Sequence, residues 1–178
     1  MLEPSISSTG LRKVIGQVAV FLAVLGMSSG CMAEDMLNAE DLTSPDKLLT
    51  YRQGVTKEHR GQAEKMYQHA LQATKKDSAS AVKAFSESAL IYPTSSALMG
   101  LAEHRAKMLA KKDNKVKHDA LGKIILFLAS AERLNAVDKM LTKDEQNQVV
   151  QDKACTGQYL ANKLDNAVCR PVQWIGLR

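Results

Sequence analysis

Apolar residues along this chain recur at three- and four-residue steps, the spacing of amphipathic helices. Over 56–76 they are Ala63, Met66, Tyr67, Ala70, Leu71 and Ala73. A second stripe, Ala81, Val82, Ala84, Phe85, Ser88 and Ala89, predicts a helix over about 80–92, broken from the first by Asp77 and Ser78 and stopped by Pro93. Thr94 or Ser95 would cap a third helix over about 96–112, with Leu98, Leu101, Ala102, Met108 and Leu109 on one side and Arg105 in the same register. Residues 120–134 are the most apolar of these elements. Leu121, Ile124, Ile125, Phe127, Leu128 and Ala131 surround much of the circumference, which predicts a central, buried helix ended by Asn135. Thr142 and Glu145 form a capping box for a last long helix carrying Val149, Val150 and Ala154. Upstream, Ser44 and Pro45 suit the start of a short helix that Gly54 interrupts. The tail, with Pro171, Trp174 and Ile175, either folds back onto the helices or stays extended. The fold class predicted is all-α.

The N-terminal residues follow another pattern. Residues 14–26 are apolar apart from Gln17 and the glycines, follow Arg12 and Lys13, and lead into Ser28, Ser29, Gly30, Cys31 and Ala33. A basic start, an apolar stretch of about 7–15 residues and small residues at a cleavage site make a secretory signal. A transmembrane helix would need roughly 20 apolar residues. Ser29, Gly30 and Cys31 resemble the bacterial lipoprotein signal, in which the cysteine is lipidated and becomes the new N-terminus, although Ser28 stands where that family usually has leucine. Cleavage after Ala33 is the other route. The lipoprotein resemblance implies an outer-membrane anchor, because Met32 rather than aspartate follows the cysteine. Either route places the working part in the periplasm or on the outer membrane. The chain then divides into a signal, 1–33, a linker with a short helix, 34–55, paired helices, 56–134, and a C-terminal helical part, 135–178.

Charge and cysteine content refine this. The chain carries a formal net charge of +5, and processing removes only Arg12, Lys13 and Glu3. Mild basicity in an exported protein does not predict nucleic-acid binding. Of three cysteines, Cys155 and Cys169 remain once Cys31 is lipidated or lost, and an oxidising compartment would join them. A continuous helix between them would hold their Cα atoms about 21 Å apart, against about 5.5 Å in a disulfide. The chain must therefore double back, near Asp165 and Asn166.

The second helix resembles a tetratricopeptide repeat. Ala81, Phe85, Ser88 and Pro93 stand where that family places a small residue, an aromatic, a second small residue and the proline beyond the helix. Leu98, Leu101 and Ala102 resemble the start of the next repeat, with neither its tryptophan nor its glycine. Tyr67, Ala70 and Leu71 would serve one repeat earlier, and Ala120, Ile124 and Phe127 in the second helix of the later repeat, after a connector longer than the family allows. The resemblance implies about two degenerate repeats over 56–134, and a scaffold whose concave face grips a peptide or partner domain.

Candidate chemistry is sparse. His59, His69, His104 and His118 make no metal-binding pair and are expected to be at least partly exposed; no phosphate loop or nucleophile elbow is present. The reading is a non-enzymatic chain without cofactor or metal, whose partner is a protein, a subunit of an envelope-spanning assembly. A small exported inhibitor or immunity protein is the alternative. Contacts of the repeat family with its ligands imply a groove at Lys65, Gln68, Gln72, His104 and Lys107. A second candidate surface is the basic connector, Lys111, Lys112, Lys115 and Lys117. It lies in a run from Arg105 to Lys123 opposed only by Asp113 and Asp119, and suits an acidic partner or anionic headgroups.

Overall fold

Five threonine and aspartate side chains start the main helices. Thr56 accepts a hydrogen bond from the His59 amide, Asp77 from Ser80, Thr94 from Ala97, Asp113 from Val116 and Thr142 from Glu145. Each satisfies an amide that the first helical turn leaves without a partner. A computed structural model describes residues 36–161 and 169–177. The segment expected to be an export signal, with Cys31, and the expected turn near Asp165 and Asn166 lie outside the described residues. After a 3-10 turn at Asp41–Thr43 come α1 (Pro45–Gly54), α2 (Lys57–Ala73), α3 (Ser78–Ile91), α4 (Ser95–Leu109), α5 (Asn114–Asp138), α6 (Lys143–Leu160) and α7 (Arg170–Trp174). The chain is all-α, with no strand among the described residues.

Only three or four residues separate each helix from the next between α2 and α6, so successive helices pack as antiparallel neighbours. α2 lies on α3, α3 on α4, α4 on α5 and α5 on α6. The 3-10 turn and α1 pack on α5, and α7 crosses α4, α5 and α6. The predicted central helix is central: Leu121, Ile124, Phe127, Leu128, Ala131 and Leu134 are all buried.

Small residues and one ring set the closest approaches. Ala63, Ala70 and Ala73 of α2 and Ala81, Ala84 and Ser88 of α3 are buried, and Ser88 Oγ donates to the Ala63 carbonyl at 2.9 Å. The Phe85 ring lies 5.8 Å from that of Tyr67 on α2 and 5.8 Å from that of His104 on α4. Beneath it is Gly100, where an added Cβ would stand 2.5 Å from Phe85 Cζ. Glycine is required there by proximity rather than by backbone angle.

The structure corrects several expectations. The lysine-rich stretch 111–117 is no long connector, because Asp113 caps α5 and the helix begins at Asn114. Asn135 does not end α5. The helix runs on to Asp138 and ends at Lys139, whose φ of 53° is left-handed; the buried Asn135 side chain instead accepts from the Leu141 amide at 2.9 Å. On α6 the buried face is Val149, Asp152 and Thr156, while Val150 and Ala154 are exposed. An aspartate satisfied by Gln148 and Arg170 can occupy a core position, which a hydrophobic stripe does not reveal. Met108 is also exposed, and Ser44 makes no side-chain cap bond although Pro45 sits in the first turn of α1. The tail folds back, burying Pro171, Val172 and Ile175. Cys155 and Cys169 are joined, with Cα atoms 5.7 Å apart.

Gly100→Ala should cost about 1–3 kcal/mol in denaturant unfolding, the cost of overpacking. Combined with Phe85→Leu, the loss should fall well short of the sum of the single changes. Additive losses would show that the Phe85–Gly100 contact does not limit the approach of α3 and α4.

Candidate functional site

A cleft of about 140 Å³ opens where α2, α3 and two connections meet. Arg60, Ala63, Glu64 and Tyr67 come from α2, Ser88 from α3, Tyr92 and Thr94 from the α3–α4 connection, and Met140 from the α5–α6 connection. Arg60 rides over the Tyr92 ring with its guanidinium carbon 5.0 Å from the centroid, and Arg52 of α1 approaches the same ring at 4.7 Å. Such contacts hold a guanidinium in place while leaving its N–H donors available.

The two arginines are used differently. Arg52 is tied to Asp138 at 2.9 Å, with both side chains largely buried. Arg60 is exposed and has no ion pair among the described residues. Tyr67 of α2 packs against Phe85 of α3 at this face. Burial raises its phenol above the ordinary value, a hydrogen bond with Ser96 of α4 opposes the rise, and the carboxylates of Glu145 on α6 and Glu64 add to it. The cleft thus offers one free cation, two phenol rings, a thioether and a carboxylate, a set that suits a ligand bearing a carboxylate beside apolar groups.

The residues singled out from sequence do not converge. Lys65 is exposed on α2 and lines neither cleft. Gln68 is exposed and donates to Glu64 at 2.8 Å. Gln72 lines a separate groove of about 320 Å³ between α2 and α3, with His69, Lys76, Ser80, Lys83 and Glu87. His104 is buried rather than groove-facing, since α4 is enclosed by α3, α5 and α7. Lys107 pairs with Glu103. Lys111, Lys112 and Lys115 are exposed, whereas Lys117 is buried under the folded-back tail and donates to the Gly176 carbonyl at 3.2 Å. Arg60, Tyr92 and Met140, which line the cleft, are not among the residues that the sequence singles out. Their one sequence signal was an aromatic beside the helix-stopping Pro93, and it named no partner. Among the described residues no cluster of three metal-ligand side chains occurs, and no helix is long and apolar enough to cross a membrane. No family model matches the chain, and neither does any curated protein or solved structure.

His104 has a consequence for stability. Burial lowers its pKa, against the pull of Glu103, and its Nδ1 has no hydrogen-bond partner. The unfolded chain therefore takes up the proton at a higher pH than the folded one. Stability is full above about pH 6.5 and falls as the pH drops from there through the lower folded value. Thermal melts between about pH 7.5 and pH 5 should show this fall, and His104→Leu should flatten it. An unchanged slope in the variant would contradict a buried neutral imidazole.

Proposed function

We propose that this chain is a non-catalytic adaptor of the bacterial envelope, which grips an acidic, partly apolar segment of a partner protein in the cleft between α2 and the α3–α4 connection. One observation carries the reading: the Arg60 guanidinium, which has no ion pair among the described residues, is positioned on Tyr92 in a cleft whose lining includes Tyr67, Met140 and Glu64. Positioned cations beside aromatic rings hold and orient carboxylates.

Two further lines support it. The packing of Phe85 between Tyr67 of α2 and His104 of α4, the bond from Ser88 to α2 and the place of Pro93 just after α3 support the tetratricopeptide-like reading. Export rests on the basic-apolar-small order of residues 12–33 and agrees with the Cys155–Cys169 bridge. The working location is then the periplasm or, with Cys31 lipidated, the outer membrane. The partner is a subunit of an envelope-spanning assembly such as a secretion system.

The test is quantitative recovery of partners cross-linked to the tagged full chain in its native envelope, read by mass spectrometry. Arg60→Glu should reduce recovery of an envelope-machine subunit by at least 10-fold, the scale of a lost charge-assisted hydrogen bond. Lys65→Glu, on the same helix outside the cleft, should leave it near wild type. Equal loss in both variants would contradict cleft recognition. Recovery of a single soluble enzyme or toxin instead would make the chain an inhibitor.

A further inference from the structure

The tip of the α4–α5 hairpin combines charge with exposed apolar surface. Residues 111–116 are all exposed. Lys111, Lys112 and Lys115 form no ion pair among the described residues, while Lys107 is held by Glu103 and Lys117 is committed to the tail. The acid inside the tip, Asp113, is occupied in capping α5, accepting from the Val116 amide at 2.9 Å. The C-terminal dipole of α4 and the N-terminal dipole of α5 meet here with opposite sign, so the local field is set by the lysines. Flanking Lys111, Lys112 and Lys115 in sequence are Met108 and Val116, 41% and 40% exposed.

We propose that this tip docks on an anionic phospholipid surface. The lysine stems and the two apolar side chains would enter the headgroup boundary together, with the ammonium groups on lipid phosphates. A bilayer interface accepts that mixture without a matching pocket. The tail stiffens the base of the tip, because Lys117 holds the Gly176 carbonyl and Gly176 lies beside Ala110. The cleft lies at the other end of the hairpin, near Thr94 and Met140, about 22 Å away along α4 at 1.5 Å per residue. A membrane contact at the tip therefore leaves the cleft free, and its test is independent of the partner's identity.

The experiment is co-sedimentation of the full chain, carrying Cys31→Ser so that no lipid is attached, with two kinds of vesicle. One contains phosphatidylglycerol and phosphatidylethanolamine, the other phosphatidylcholine alone. Residues 12–26 are present in every variant, so the readout is the ratio of anionic to neutral affinity compared between variants. Wild type should prefer anionic vesicles, with the preference falling as salt is raised. The triple change Lys111→Glu, Lys112→Glu, Lys115→Glu should reduce the ratio by about 100-fold or more, since each lysine near such a surface contributes about a factor of five. Met108→Ser with Val116→Ser should bind several-fold more weakly yet keep the salt dependence. All five positions are exposed, so helical content by circular dichroism should not change. An equal ratio in wild type and triple variant would overturn the proposal. So would capture of wild type by polyglutamate without any preference for anionic vesicles, which would assign the tip to an acidic polypeptide.

Discussion

Asp138 is the last residue of α5, where a helix dipole disfavours negative charge, and its side chain is nearly inaccessible at 4% exposure. A carboxylate buried in that position is tolerated only if donors surround it. Four do. The Ser95 amide reaches Oδ2 at 2.9 Å, Ser95 Oγ reaches Oδ1 at 2.7 Å, the Met140 amide reaches Oδ1 at 3.2 Å, and Arg52 Nη1 reaches Oδ2 at 2.9 Å. They come from the first turn of α4, the α5–α6 connection and α1. One carboxylate thereby joins elements far apart in sequence and offsets its own unfavourable dipole with the N-terminus of α4. The cleft depends on it, because Arg52 supports the Tyr92 ring and Met140 forms one wall.

The rest of the molecule is organised around two further constraints. Toward α2, the Phe85 ring fills the space above Gly100 and touches Tyr67 and His104, so α2, α3 and α4 share one packing unit. Toward the C-terminus, α6 and α7 are fastened twice. The Cys155–Cys169 bridge closes a loop of roughly 15 residues, worth about 3 kcal/mol in the chain-entropy model. Beside it, Arg170 binds the buried Asp152 through Nε at 3.0 Å and Nη2 at 2.6 Å, and Gln148 donates to the same carboxylate at 3.0 Å. This fastening keeps α7 across α4, α5 and α6 and buries Lys117, the one lysine of the basic run withdrawn from the surface.

Much of the fold was legible because it is local. Periodicity located α2, α3 and α4 and the apolar core of α5, and cap residues such as Thr94 and Thr142 are set by neighbours within three positions. Cysteine parity anticipated the bridge between Cys155 and Cys169. What could not be read depends on long-range polar partners. Asp152 takes a core position that an apolar pattern assigns elsewhere, Asn135 looks like a helix stop until its side chain is seen capping Leu141, and Lys117 looks solvated until the tail covers it. The cleft is illegible in the sequence for the same reason: Arg52 and Arg60 meet Tyr92 across 40 and 32 positions of sequence. The α2 residues that the repeat resemblance implies, Lys65, Gln68 and Gln72, are exposed and line no common cleft. Of the basic run, Lys111, Lys112 and Lys115 are exposed as the sequence suggested.

Hydrogen exchange of Asp138→Ala against wild type under native conditions tests most directly whether this carboxylate holds the elements around the cleft. Amide protection should fall together in α1, in the first turn of α4 and in the α5–α6 connection, while α6 from Val149 to Thr156 keeps its protection behind the disulfide. Loss confined to the last turn of α5, with α1 and the start of α4 still protected, would contradict it.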